Sequence, residues 1–241
     1  MNRTLLLGIF FSLSLPVWSD STADKILAKA DSIRMPHGDS SVNTLIVSQK
    51  PSGTIEKTGY EVWLKGTEKT IIKTISPAAD RGTSILMLGH DLWVFLPTVS
   101  KPVRISLQQR LTGEVSNGDL ARANFVEDYT PTLVEAKPSF FLLLLKAKSE
   151  DVTYGSIQLW VERPSCRPLK AAFYAASGRI LKVGSYENYK SFNGVMRPSK
   201  LVFTDALVKN QISTLYYDKI TARTDLADKY FTKDYLKKLK Y

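Results

Sequence analysis

Few residues of this sequence could carry out chemistry, and they do not form a known catalytic motif. The chain has 241 residues, of which two are histidines. A lipid-acting hydrolase, such as a phospholipase, needs a serine, a histidine base and an acidic residue that meet in space. His90 with Ser116 and Asp119 (or Asp91) could supply this triad, but no Gly-x-Ser-x-Gly elbow surrounds Ser116. We therefore favour a non-catalytic protein and keep the hydrolase as the alternative.

Metal and cofactor sites have even less support in the sequence. A single cysteine and two separated histidines cannot form a typical zinc site, and the acidic residues lack the spacing of a calcium-binding loop. No glycine-rich phosphate-binding loop is present either. We predict that the protein needs no cofactor and no metal.

The N-terminus has the pattern of a cleavable export signal. Arg3 is followed by an apolar run over residues 5–15 and by Val17-Trp18-Ser19, which fits a cleavage site before Asp20. The apolar run is shorter than the roughly 20 residues that cross a bilayer, so an uncleaved anchor is the weaker interpretation. The sequence predicts a signal peptide at residues 1–19 and a periplasmic protein, in solution or at the membrane surface.

The remaining residues, 20–241, are expected to form a single domain with an anionic partner. Cys166 is the only cysteine, so the fold must be held by its own core, without an intramolecular disulfide. The net charge of +10 falls to +9 when Arg3 leaves with the signal. Such a charge favours anionic partners. No RNP-like, helix-turn-helix or zinc-finger pattern is present, so we favour an anionic membrane surface and predict no nucleic acid.

Hydropathy patterning predicts a helix, many strands and a closing helix. Ser21 or Thr22 can cap an amphipathic helix that ends near Pro36, and residues 226–239 are predicted to be helical. Between them, short runs rich in β-branched and aromatic residues predict an antiparallel meander. The predicted strands are residues 42–49, 59–65, 70–75, 83–88, 92–96, 140–148, 156–162, 169–174, 180–189, 196–205 and 211–221. The fold class is therefore mainly β (α+β), with apolar residues on a face that the sheet must bury or leave as a concavity.

The segment of residues 97–131 fits neither element type and is rich in basic residues. Long irregular segments in compact domains are commonly functional or mobile. Because arginine can bind phosphate with two hydrogen bonds, this segment could contact anionic head groups or acidic cargo, and ordinary solvated charges are the alternative. The candidate contact residues are Lys101, Arg104, Arg110 and Arg122 of this segment, together with Arg81 before it.

Several short motifs occur in one order along the chain. They read SPAADRG at residues 76–82, LMLGHDLWVFLP at 86–97, SNGD at 116–119, DYTPT at 128–132, LWVE at 159–162 and RPLKA at 167–171. In this order they resemble the bacterial outer membrane lipoprotein-sorting proteins, the LolA-like group. The resemblance covers most of the chain after residue 19.

The resemblance implies a LolA-like fold: a strongly curved antiparallel sheet forming an incomplete barrel, with a helical lid over a hydrophobic cavity. It also implies a carrier that takes lipid, or the acyl chains of lipoproteins, from an inner-membrane exporter towards an outer-membrane acceptor. A lipid-sensing or scaffold domain that docks a membrane partner is a further alternative. The open edges of such a sheet would allow a homodimer.

Large apolar residues of the predicted strands are the candidates for lining this cavity. For each of them, ordinary core packing is the alternative, because alternation alone cannot say which face is concave. The candidates are Trp63, Leu86, Leu88, Trp93, Phe95, Phe141, Leu143, Leu159 and Phe173.

Overall fold

The computed structural model describes residues 20–36, 38–122 and 124–239. The predicted signal peptide lies outside the described residues. Within these residues, no helix combines the length and the apolar character that are needed to cross a bilayer.

The described residues form fifteen strands, the helix α1 and a few shorter helices. The strands are β1 (Ser40–Gln49), β2 (Ile55–Lys65), β3 (Lys69–Ser76), β4 (Ser84–Leu88), β5 (Asp91–Phe95), β6 (Val103–Ile105), β7 (Arg110–Thr112), β8 (Val115–Ser116), β9 (Tyr129–Ala136), β10 (Phe140–Ala147), β11 (Ser156–Glu162), β12 (Pro168–Tyr174), β13 (Ile180–Phe192), β14 (Val195–Asp205) and β15 (Ile212–Ala222). The α-helices are α1 (Asp20–Arg34), α2 (Asn117–Ala121), α3 (Phe125–Asp128) and α4 (Lys233–Leu236), and Ala78–Asp80 and Asp228–Tyr230 are 3-10 helices.

Thirteen of the strands form one antiparallel sheet that does not close into a barrel. The order is β6-β5-β4-β3-β2-β1-β15-β14-β13-β12-β11-β10-β9, so the pairing of β1 with β15 joins the two halves of the chain. The register shifts by one residue in several strand pairs, for example between Asn43 and Thr44 of β1. Such bulges increase the local twist and help the sheet to bend. The predicted mainly β fold with an incomplete barrel is confirmed.

Helix α1 lies against the concave face of this sheet. Its side chains Ala23, Ile26, Leu27 and Ala30 recur on one face of the helix, and all are buried in the main hydrophobic cluster. The sheet contributes its inward-facing residues to the same cluster, for example Leu143 and Leu145 of β10. The predicted N-terminal amphipathic helix is therefore confirmed.

The C-terminal segment packs on the opposite, outer face of β2 to β5. Leu226, Phe231 and Leu236 are buried there against Ile71 and Leu86 in a second hydrophobic cluster. We call residues 226–239 the strap. The prediction of one helix over these residues is wrong, because the strap contains a 3-10 helix and only one turn of α-helix. Its buried residues are five positions apart, which suits a chain that runs along a sheet and does not suit the 3.6-residue period of a helix.

The basic segment of residues 97–131 consists of short elements. It contains β6, β7, β8, α2, α3 and the start of β9. The elements that precede β9 are too short to show a hydrophobic period in the sequence. Strand β9 was not predicted. It carries Pro131, and it is an edge strand, the place where a sheet tolerates a residue that has no N–H group.

We expect the strap to contribute measurably to stability. Replacing Leu236, which is 1% exposed, with alanine should lower the free energy of unfolding by about 2 kcal/mol, the low end for a buried leucine because a terminal segment can relax. Urea denaturation would measure this change, with the exposed Lys238→Ala as the control. Equal stability of the two variants would show that the strap does not pack on the sheet in solution.

Candidate functional site

A buried carboxylate connects helix α1 to the segment that contains α3. Asp31, at 1% exposure, accepts hydrogen bonds from the backbone N–H groups of Phe125 (3.0 Å) and Val126 (3.4 Å). Arg34 donates to the other oxygen of Asp31 at 2.8 Å and stacks its guanidinium 3.6 Å from the centre of the Phe125 ring. These bonds fix the last turn of α1 in the interior.

The C-terminal end of α1 is also bound to the sheet. Arg197 of β14 donates hydrogen bonds to the backbone carbonyls of Ser32, Ile33 and Met35. The last carbonyls of a helix have no partner within the helix, so a cation at this position both satisfies them and complements the helix dipole. On the side of α1 and the residue after it, each of these polar contacts involves a residue between 31 and 35.

The space between α1 and the sheet is filled in this structure. A cavity lined by Tyr154, Phe173, Tyr186 and Phe203, among others, measures only about 20 Å³. Pockets that hold a small-molecule ligand measure about 300–1,000 Å³. In this structure α1 and the aromatic side chains therefore leave no room for a ligand in this cavity.

A second buried polar cluster joins α2 to the sheet. Asp119 accepts hydrogen bonds from Lys182 (2.5 Å), from the Tyr154 hydroxyl (2.6 Å) and from the backbone N–H of Ser116 (2.7 Å). Lys182 also donates to the backbone carbonyl of Glu114 and lies 3.9 Å from the centre of the Phe203 ring. Burial lowers the pKa of Lys182, and the carboxylate of Asp119 partly offsets that effect. A glycine is needed beside Asp119, since a Cβ on Gly118 would lie 1.9 Å from the Thr153 hydroxyl.

The three residues of the candidate triad lie in two different clusters. Ser116 and Asp119 belong to the Lys182 cluster just described. The ring nitrogens of His90 instead lie 3.1 Å from a carboxylate oxygen of Asp128 and 3.1 Å from one of Asp151. Among the described residues, the structure therefore shows no contact of His90 with Ser116 or Asp119.

Two open clefts flank Ser116 and Tyr154. One measures about 460 Å³ and is lined by Gln108, Val152, Ala176 and neighbouring residues. The other measures about 290 Å³ and is lined by Arg110, Arg179, Asp205, Leu207 and others. Within the described residues, no group of three or more histidine, cysteine or acidic side chains is arranged to hold a metal ion.

The nine candidate cavity residues do not line one space. Five of them belong to the cluster beneath the strap, on the outer face of the sheet: Trp63, Leu86, Leu88, Trp93 and Phe95. The other four belong to the main cluster beside α1 or pack against it: Phe141, Leu143, Leu159 and Phe173. Strands β2 to β5 are apolar on both faces because both faces are covered, and the alternation of residues alone could not separate the two sides.

The apolar residues of the strap are the sequence feature that could have shown which candidates lie on the outer face of the sheet. Leu226, Phe231 and Leu236 need an apolar partner, and the outer face of β2 to β5 provides it. The inward-facing residues that the sequence analysis missed are Tyr186, Leu201 and Phe203, which lie on β13 and β14 beneath α1.

The five candidate basic residues are also dispersed. Arg122 is buried and pairs with Asp128 at 2.6 Å and with Glu68 at 3.1 Å. The remaining four lie in other surroundings: Arg81 donates to the backbone carbonyl of Ile75, Lys101 is exposed in the loop before β6, Arg104 pairs with Asp91, and Arg110 pairs with Glu114 and Asp205. The structure does not bring them together as a rim.

Comparisons with known proteins agree with this architecture. A family model described as an uncharacterized protein matches residues 66–238. A crystal structure of a LolA superfamily protein from Nitrosomonas europaea has 46% sequence identity and a TM-score of 0.83, covering 88% of this chain and 98% of that one. A search of curated proteins finds no match.

Two further solved structures share the fold at lower identity. An outer membrane lipoprotein-sorting protein domain from Vibrio parahaemolyticus has 19% identity and a TM-score of 0.76, covering 91% of this chain and 100% of that one. A DUF1329 family protein from Desulfovibrio piger has 18% identity and a TM-score of 0.77, covering 90% and 98%. An open antiparallel sheet with an N-terminal helix on its concave face thus defines the class as LolA-like. The chain belongs to the LolA superfamily.

Proposed function

We propose that this protein is a periplasmic carrier that binds lipid, or the acyl chains of lipoproteins, between α1 and the sheet. Membership of the LolA superfamily supports a carrier of this kind. The observation that carries the proposal is the position of α1, whose apolar face fills the concavity of an open sheet. In this proposal residues 1–19 are removed on export and residues 20–241 act as one domain.

The driving force would be burial of the acyl chain. Each CH₂ group removed from water is worth about 0.8 kcal/mol, so a chain of about 16 carbons gains enough to displace an apolar helix face. The side chains of Ala23, Ile26 and Leu27 would leave the main cluster, and the acyl chain would take their place against the sheet. This exchange needs no covalent step.

The placement of the polar contacts suggests how α1 would move. The bonds of Asp31, Arg34 and Arg197 hold the helix near its C-terminal end. Contacts of the first two turns with the sheet include the apolar side chains Ala23, Ile26 and Leu27, and an acyl chain can replace these apolar contacts. In this proposal α1 is a lid, and opening it breaks the bonds of Asp31 to the Phe125 and Val126 N–H groups, so these bonds stabilise the closed form.

Native mass spectrometry of the protein isolated from the periplasm tests the carrier directly. We expect a bound lipid or acylated peptide, identified by extraction, and no fatty-acid release when the protein is mixed with phospholipid vesicles. Transfer of this cargo to acceptor vesicles would support carriage between an inner-membrane exporter and an outer-membrane acceptor.

Two outcomes would contradict this function. Time-dependent fatty-acid release that His90→Ala abolishes would make the protein a hydrolase. A protein that retains its lipid in the presence of acceptor vesicles but binds a membrane partner would be a sensor or scaffold.

A further inference from the structure

Part of the outer face of the sheet, on β10 and β11, lies outside the strap and carries large apolar side chains. On β10 and β11, the residues that alternate with the buried core positions include Phe140, Leu142, Leu144 and Trp160, which we call the outer patch, and Gln158 and Glu162 lie beside them on the same face. Leu142 lies directly opposite Trp160 in the antiparallel pair. All four side chains are partly exposed, and none belongs to either hydrophobic cluster found in the described part of the chain.

Two lysines flank the outer patch on the same face. Lys146 follows Leu144 two positions along β10, and Lys170 of β12 lies opposite Trp160 with its Nζ 5.2 Å from the centre of the indole ring. Neither lysine forms an ion pair with any of the described residues. The acidic neighbours are engaged elsewhere, since Glu135 pairs with Lys137 at 2.8 Å and Glu162 accepts a hydrogen bond from Ser165.

We propose that the outer patch is a docking surface for an anionic lipid membrane. Contiguous apolar surface on a folded protein marks an interaction site, and tryptophan is favoured at the boundary between lipid head groups and acyl chains. Lysines beside an apolar surface attract anionic head groups, while their own CH₂ groups add to the apolar contact.

Charge distinguishes this occupant from a second copy of the chain. A dimer through this patch would place Lys146 and Lys170 of both copies in one interface, between two chains that each carry a net charge of +10. Like charges brought together in this way oppose association. An anionic membrane instead complements both the lysines and the apolar side chains between them.

The docking surface lies on the face opposite α1. A protein bound through β10 to β12 would therefore leave the α1 side of the sheet turned away from the bilayer. The proposal does not depend on whether the protein carries lipid, because the surface and the space beneath α1 are on different sides of the sheet.

Sedimentation with vesicles tests the charge of the docking surface. We expect binding to vesicles that contain phosphatidylglycerol and little binding to vesicles of phosphatidylcholine alone. The double variant Lys146→Glu, Lys170→Glu should bind at least about 20-fold more weakly, because each surface lysine contributes roughly fivefold. The matched control is Lys57→Glu, Lys219→Glu, which makes the same charge change at exposed positions of β2 and β15 and should bind like the unmodified protein.

Trp160 reports on the apolar part of the contact. Brominated phosphatidylglycerol vesicles should quench its fluorescence, and Trp160→Phe should remove most of the quenching, because Trp63 and Trp93 lie beneath the strap. The double variant Leu142→Ser, Leu144→Ser should weaken binding without changing the circular dichroism spectrum.

Three results would overturn the proposal. They are equal vesicle binding by the Lys146, Lys170 variant and its control, quenching that persists in Trp160→Phe, and a dimer in light scattering that Leu142→Ser, Leu144→Ser dissociates. Failure of vesicle binding with lipid still present in the native mass spectrum would reject the docking surface and retain the carrier. Vesicle binding that depends on Lys146 and Lys170, with no lipid in the native mass spectrum, would reject the carrier and retain the docking surface.

Discussion

Replacing Lys182 with methionine is expected to lower the free energy of unfolding by about 3–5 kcal/mol. Lys182 is 3% exposed, and its ammonium group is the cation that neutralises Asp119 in the interior. Methionine fills a similar volume but leaves the carboxylate charged and without an opposite charge, and it also removes the hydrogen bond to the carbonyl of Glu114. Breaking a buried pair from one side is costly because the other charge stays buried.

Denaturation by urea would measure this effect, and a second substitution would identify its cause. Asp119→Asn combined with Lys182→Met should be more stable than Lys182→Met alone, since the uncompensated charge is then gone. The control is Lys200→Met, which breaks the 2.8 Å surface pair with Glu187 and should cost less than about 1 kcal/mol. A Lys182→Met protein as stable as the control would show that Asp119 is not held as a buried charge.

Asp31→Ala is expected to increase the apparent affinity for an acyl ligand by about 100-fold. The substitution removes the acceptor of the Phe125 and Val126 N–H groups and the carboxylate that faces Arg34. A loss of about 3 kcal/mol in the closed form raises the open population by about 100-fold, because 1.4 kcal/mol corresponds to a factor of ten. When only the open form binds, the apparent dissociation constant falls in proportion.

Titration with a fluorescent fatty acid would measure this change in affinity. Ser32→Ala is the matched control, because its hydroxyl lies on the same turn of α1 and donates a hydrogen bond to the carbonyl of Lys29 within the helix. Circular dichroism would show that Asp31→Ala is still folded at the temperature of the titration. A folded Asp31→Ala protein with unchanged or weaker binding would show that α1 is not the lid of a lipid site.

The sequence by itself determined most of the sheet. Strands such as β2 and β11 place buried apolar residues at alternate positions, and a one-residue shift would turn all of them to the other face, so local pattern specifies both the strand and its orientation. Two turns were equally well specified. Gly89 and Gly178 have the positive φ that a tight hairpin needs, and each lies between two strands that pair with each other. The N-terminal helix followed from its 3.6-residue apolar period in the same way.

Only the tertiary structure decided which face of the sheet each large apolar residue occupies. Trp63 and Phe173 have the same character in sequence, yet one lies beneath the strap and the other beside α1. Which face is covered depends on contacts between residues that are more than a hundred positions apart, as in the bond from Lys65 to the carbonyl of Leu226. Local periodicity carries no information about such contacts, because it records that a side is buried without recording what buries it.

The same reason applies to the polar groups. The sequence presented His90, Ser116 and Asp119 as one possible set, but the partners of Asp119 are Lys182 and Tyr154, which come from a distant strand and the segment before β11. A buried charge requires a partner, and the chain supplies that partner through its fold and not through its spacing. The elements of the fold were therefore set by local pattern, and the identity of the site was set by long-range packing.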